Sequence, residues 1–228
     1  MLIIVDQKIP NEAFEKLSEY GEVLGLKTEG IVYDSISGHP DIFLSKIGNK
    51  WVVAPNLPDT YIEKLKEFNI PYILGEEAVG TKYPASSKYN VVMDDHFIIH
   101  NFRNTDSAIT QLTEDMDLIQ VDQGYTRCNL IPLGNKHYIT SDKGIERTLK
   151  RFDLEVLYVE PSGIILPGHK NGFIGGCAGI LDRQIFFIGK LDTLKESEEI
   201  KMFLKAQNFE IIELYKGPLF DGGSILFL

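Results

Sequence analysis

The sequence predicts an α/β ring: five ββαβ units forming a five-fold pseudosymmetric α/β propeller, closed by pairing of the N- and C-terminal strands. Three observations carry this. The order strand, tight turn, strand, helix, strand recurs at intervals of ~40 residues, the period of ring and array architectures. Ile47-Gly-Asn-Lys50 of one unit lies over Leu133-Gly-Asn-Lys136 of another. The N-terminal unit lacks its first strand, and Ser224-Ile-Leu-Phe-Leu228 is a lone strand at the other end of the chain that supplies it. An open α/β sheet assembled from similar elements is the alternative.

Taken in order, Leu2 to Val5 reads as a strand, Pro10-Asn11-Glu12 opens a helix to about Tyr20, Gly21 stops it, and Glu22 to Leu26 is a strand. The second unit runs as strand 41–47, turn Gly48-Asn49, strand 50–54, helix 59–68 and strand 70–74. Gly-Asn marks the turn because both residues tolerate the positive φ of a tight hairpin. The third has strand 89–93, turn Asp94-Asp95, strand 96–100, a polar and hence outer helix over about 105–115, and strand 118–121. In the fourth, a strand running into Leu133 turns at Gly134-Asn135, and Ser141-Asp142 caps a helix with Ile145, Leu149 and Phe152 on one face. The fifth has strand 177–181, turn Asp182-Arg183, strand 184–188, helix 193–207 and strand 209–214. No such unit buries its own apolar face, so each needs neighbours. The stretch Gly75 to Ser87 is either a lid or a connection.

With 228 residues, 43% hydrophobic and 25% charged, the chain is expected to form one domain over residues 1–228. No apolar run approaches the ~20 residues of a membrane span, and Met-Leu-Ile-Ile-Val-Asp lacks the basic flank of a signal peptide; the expected compartment is the cytoplasm. Two cysteines, Cys128 and Cys177, fit reduced thiols better than a disulfide framework. A net charge of −10 with no basic stripe argues against nucleic-acid binding and permits a cationic small ligand.

Four stretches at the channel ends of first strands carry chemistry: Ser37-Gly-His39-Pro-Asp41, Tyr125-Thr-Arg127-Cys128, Gly168-His169 through Gly176-Cys177, and Leu219-Phe-Asp221-Gly-Gly-Ser224. In a ring these converge. A Cys beside a His makes a nucleophile with an acid/base partner, and carboxylates nearby hold a cation. Singly, each stretch also reads as structure: a Cys at a strand start is often core, and His-Pro-Asp and Asp-Gly-Gly are turn signals. Cys177, among small residues, reads as core. A metal site from His39, Asp41, His169 and a Cys is weakly supported by their spacing, and no metal or other cofactor is expected.

The combination resembles the pentein superfamily of guanidino-group modifying enzymes: arginine and agmatine deiminases, dimethylarginine dimethylaminohydrolase and amidinotransferases. Thr126-Arg-Cys128-Asn-Leu-Ile-Pro-Leu133 is similar to the family's nucleophile segment, His39-Pro-Asp41 to its His-x-Asp, and Asp221-Gly-Gly-Ser224 to its acidic-Gly-Gly-Asp strand. The family's cyclic order is kept, with the chain opened after the Asp-Gly-Gly strand, which implies a circular permutation. The resemblance implies a cysteine-dependent hydrolase or transferase acting at a guanidine or amidine carbon of a small cationic substrate. It makes Cys128 the nucleophile, His39 the acid/base and Asp41 and Asp221 the substrate carboxylates. Arg127 is expected beside the substrate, with His169 and Ser224 as further candidates. Ser224 stands where the family has a second Asp. Phe173-Ile-Gly-Gly176 offers glycines where it has another, leaving space for a bulkier ligand. A catalytically inactive pentein acting as a binding module is the alternative.

Overall fold

The turns set the hairpins. Gly48, Gly134, Asn135 and Asp182 all sit at positive φ, between +48° and +78°, the region where glycine, Asn and Asp are least penalised. In the computed structural model, which describes residues 1–228, these turns join three of five antiparallel strand pairs, the remaining two being joined at Asp94-Asp95 and by the meeting of the chain ends. Each pair is extended by a parallel third strand reached through a helix.

Unit one contains β1 (Leu2–Asp6), α1 (Asn11–Leu17) and β2 (Glu22–Leu26); unit two β3 (Leu44–Ile47), β4 (Lys50–Val53), α2 (Asp59–Glu67) and β5 (Tyr72–Leu74). Unit three has β6 (Val92–Met93), β7 (Phe97–His100), α3 (Ser107–Leu112) and β8 (Asp117–Gln120). Unit four opens with the short α4 (Thr126–Asn129), then β9 (Leu130–Gly134), β10 (His137–Thr140), α5 (Lys143–Lys150) and β11 (Glu155–Tyr158). Unit five has β12 (Ala178–Leu181), β13 (Gln184–Phe187), α6 (Ser197–Ala206) and β14 (Glu210–Glu213), and β15 (Leu226–Phe227) ends the chain.

β15 is antiparallel to β1, with Ile3 opposite Phe227 and Ile4 opposite Leu226, and Leu2 and Leu228 exchange backbone hydrogen bonds at 3.1 and 2.9 Å. The first unit is therefore completed by the far end of the chain. Packing closes the same ring. One apolar cluster joins units one, two and three, another joins three and four, another four and five, and the last joins five and one through Phe186, Ile188, Ile3 and Val5. The sheets stay separate, five of three strands each, so the open-sheet alternative is not formed.

Several boundaries differ from the sequence reading, and most differences share one cause. The segments before β3, β9 and β12 are not strand. They are single helical turns, Pro40–Ile42, Thr126–Asn129 and Gly175–Cys177, so Asp41, Cys128 and Cys177 precede their strands. Apolar composition suits a buried turn as well as a strand, and Pro40 favours the turn because its fixed φ suits a helical first position. The strand expected over 89–93 shrinks to Val92–Met93. Helix α6 begins at Ser197, after a separate turn at Leu191–Thr193. In α5 the cap is Asp142, whose Oδ1 accepts from the amides of Gly144 and Ile145 at 2.6 and 2.9 Å. Ile145 and Leu149 are buried as expected, but the helix ends before Phe152, which is exposed.

Candidate active site

The three pre-strand turns do local work. Each turn precedes the first strand of its unit, and the first two bring Asp41 and Cys128 side by side. The backbones interlock there: Asp41 N–H donates to Gly223 O, Arg127 N–H to Asn90 O, and Ser224 N–H to Gly176 O. Glycine is required at this crowding. A Cβ on Gly175 would lie 2.2 Å from Arg127 O, and one on Gly223, at φ +65°, would lie 2.2 Å from the His39 Cβ.

Cys128 Sγ donates to Asp41 Oδ2 at 3.1 Å and accepts from Asn90 Nδ2 at 3.3 Å. Asn90 is a brace: its Oδ1 also takes the Cys128 amide at 3.1 Å and its Nδ2 reaches Asp41 O at 3.0 Å. Ser224 Oγ donates to the same Asp41 Oδ2 at 2.8 Å. Asp221 is held by the amides of Phe173 and Gly223, at 2.8 and 3.1 Å. His39 stands between two carboxylates, its Nδ1 3.9 Å from Asp221 Oδ1 and its Nε2 3.9 Å from Asp6 Oδ2. Cys128, His39, Asp41, Asp221, Asp6 and Ser224 are all buried.

Burial dominates the electrostatics. It pushes the Cys128 thiol well up, helped by the nearby Asp41 and Asp221 carboxylates. It raises Asp221 to about 7 and Asp6 to about 6, raises Asp41, and lowers His39 to about 3. The resting site is thus biased toward neutral groups. Three of its polar atoms, Nδ1 and Nε2 of His39 and Oδ1 of Asp41, have no hydrogen-bond partner. The contrast with the other buried histidine is sharp: His100 satisfies both ring nitrogens, against Thr105 Oγ1 at 2.6 Å and Gly124 O at 2.8 Å. Unpaired buried polar atoms are rare and costly, and here they cluster on His39, which lines the cavity described next, and on Asp41, which bonds the cavity-lining Cys128.

Above them is a cavity of about 200 Å³ lined by His39, Cys128, Asp221, Tyr33, Tyr125 and Phe173 among others. The hydroxyls of Tyr33 and Tyr125 meet at 3.1 Å, and Ser86 Oγ bonds Tyr125 at 2.6 Å. Through this bond and those of the Glu76 and Glu77 amides to Asp106, the stretch from Gly75 to Ser87 is tied down at both ends. His169 lies at the edge of the cavity, exposed, with Nε2 2.8 Å from Ser35 Oγ. Cys177 Sγ is buried against Phe173 O at 3.2 Å.

All four stretches singled out in the sequence thus reach one site. Several placements differ from expectation. Asp41 bonds Cys128 and Ser224, but neither Asp41 nor Ser224 lines the cavity itself. Arg127 does not line the Cys128 cavity; its guanidinium donates to Gly175 O and Ala178 O at 3.1 and 3.4 Å and lines a second cavity. The glycines leave no space, because Asp221 fills it: a Cβ on Gly176 would lie 1.8 Å from Asp221 Oδ1. Asp6 and Asn90 were missed. The only trace of Asp6 was an acid closing the apolar run Leu-Ile-Ile-Val, and Asn90 had none. As for a metal, ligand atoms of His39, Asp41 and Cys128 lie within 4.8 Å of one another, without His169. Tetrahedral zinc ligands sit ~3.5 Å apart, so a zinc ion would have to draw the three together.

The profile of a family of unknown function, DUF6873, matches residues 4–226. The chain belongs to that family. No curated protein matches this DUF6873 chain in sequence. Solved structures do match. SxtG, an amidinotransferase of the saxitoxin biosynthetic pathway from Microseira wollei, is 13% identical with a TM-score of 0.55 over 93% of this chain and 87% of its own. The DDAH of Pseudomonas aeruginosa, complexed with citrulline, is 8% identical with a TM-score of 0.53 over 93% and 91%. Agmatine deiminase of C. jejuni is 13% identical with a TM-score of 0.58 over 93% and 74%. The DUF6873 chain therefore has the pentein fold, and these structural neighbours are guanidino-modifying enzymes. No helix is long and apolar enough to cross a membrane.

Proposed function

We propose that residues 1–228 act as one pentein domain that uses Cys128 as a nucleophile on the amidine or guanidine carbon of a small cationic substrate. The supporting observation is the set of unpartnered atoms on His39 and Asp41 around a cysteine that opens onto a cavity. A planar cation supplies the missing donors for the carboxylates, and charge-assisted hydrogen bonds are roughly twice as strong as neutral ones.

The same cation solves the ionisation problem. A thiol raised by burial and two carboxylates is inert when the site is empty; a bound positive charge reverses the dominant Coulomb effect and favours the thiolate. In the reaction the Cys128 Sγ–carbon bond forms and a carbon–nitrogen bond breaks. The proton lost by the thiol passes through His39 to the departing amine, with Asp6 and Asp221 flanking the transient imidazolium. Water then attacks the thioester-like amidine to regenerate the thiol in a hydrolase, or a second amine does so in a transferase.

The test is alkylation followed by mass spectrometry. A cationic haloacetamidine is expected to modify Cys128 faster than the neutral haloacetamide, Cys177 should react with neither in the folded protein, and Asp41→Asn should erase the preference for the cation. Equal rates for the two reagents at Cys128 would remove the case for a cation site. A binding module without turnover is the competing reading. It predicts that arginine, agmatine or methylated arginines raise the melting temperature while no ureido or amidino product forms. Zinc saturating at one equivalent and blocking Cys128 would instead favour a metal site.

A further inference from the structure

The second cavity lies at the other end of the same channel and has a different character. It measures about 280 Å³ and takes at least one residue from the first strand of every unit, β3, β6, β9, β12 and β15. Nine of its 13 lining residues are hydrophobic, Trp51, Met93 and Phe227 among them. Its charged lining residues are Arg127 and Lys46, both cations, in a chain whose net charge is −10. Neither takes part in an ion pair. The Arg127 guanidinium is bound by two carbonyl oxygens and no carboxylate, and burial lowers its pKa. Asp41 attracts the cation through space only, without a hydrogen bond, so the half-buried guanidinium has lost hydration without a carboxylate paired to its N–H groups. An independent observation points to the same spot: Ser45, 3% exposed, also lines the cavity, and its hydroxyl has no hydrogen-bond partner.

We infer that this end of the channel is a binding site for a small organic monocarboxylate with an apolar body. The guanidinium offers the planar fork that matches a carboxylate, the Ser45 hydroxyl donates one further hydrogen bond, and the Lys46 ammonium closes the rim. The apolar wall takes the rest of the ligand, and a cavity of this size, at the low end for small-molecule sites, restricts it to a small body. Inorganic phosphate fits poorly, because most of its oxygens would face hydrocarbon. The site does not depend on chemistry at Cys128, so it stands or falls separately from the proposed reaction.

Calorimetry and thermal shift with benzoate and butyrate test this, against benzamide, butyramide and inorganic phosphate. The carboxylates are expected to bind and to raise the melting temperature, with the amides and phosphate at least about tenfold weaker, as loss of one charge-assisted contact implies. Ser45→Ala removes only an unpartnered hydroxyl, so it should leave the fold intact and weaken benzoate severalfold. Lys46→Ala should weaken it less, and Arg127→Met should abolish binding. If Arg127→Met fails to fold, the Ser45 and Lys46 variants decide. Absence of carboxylate binding, equal binding of the amides, or benzoate affinity unchanged in both Ser45→Ala and Lys46→Ala overturns the assignment.

Discussion

Replacing Asp221 by Asn should change how stability depends on pH more than it changes stability itself. Asp221 is buried beside Asp41 and Asp6, which raises its carboxyl from 3.8 to about 7. Between these values the folded chain holds a proton that the unfolded chain has released, so stability falls as pH rises, and above about 7 the loss is complete. From pH 5 to pH 8 that is about two units at 1.36 kcal/mol each, or about 3 kcal/mol, most of it lost by pH 7. His39 works in the opposite sense: lowered from 6.5 to about 3, it makes stability rise with pH over that interval. His39 and Asp6 are present in both proteins and drop out of the difference to first order. At pH 5 both proteins are neutral at position 221. There Asn is the worse residue, because its amide cannot accept from both Phe173 and Gly223 amides, and an unmet buried donor costs about 1–3 kcal/mol. By pH 8 the variant should have recovered that deficit or overtaken the parent. Urea unfolding at pH 5 and pH 8 measures both differences. If the gap between the proteins is the same at the two pH values, Asp221 ionises normally and the burial argument is wrong.

Two further perturbations address the architecture. Gly175→Ala places a methyl against the backbone oxygens of Arg127 and Cys128, which no rotamer change relieves; a loss of about 1–3 kcal/mol or more in urea is expected, together with loss of Cys128 alkylation by the cationic reagent. An alanine variant as stable as the parent would mean the turns are not in contact. Truncation after Ser224 removes β15 and strips β1 of its antiparallel partner and of Ile225 and Leu226 in the core. Circular dichroism on heating should then show a lowered and broadened transition, whereas unchanged cooperative melting would show that the ring does not need its closing strand.

The repeat and the ring were legible because they rest on local physics. Gly48 and Gly134 sit at positive φ in the structure as a tight hairpin demands, Asp142 caps a helix because its side chain can reach the second and third amides, and the lone apolar strand at the end of the chain could only pair with the incomplete first unit. Residue types carrying strong chemistry were legible too, so Cys128, His39, Asp41 and Asp221 could be named before their distances were known.

What the sequence could not decide was direction. Whether a side chain beside Cys128 faces the nucleophile or the opposite end of the channel depends on one helical turn, and the turn at Thr126–Asn129 sends Arg127 the other way. Whether two glycines leave a hole depends on who else is nearby, and Asp221, far away in sequence, fills it. Asn90 and Asp6 acquire meaning only from partners 38 and 33 residues away, Cys128 and His39. Turns, caps and periodicity arise from neighbours along the chain and can be read from it. The ionisation of a buried acid, the orphaned nitrogens of His39 and the pairing of Ser224 with Asp41 arise from desolvation and contact across the ring, which exist only once the five units have closed.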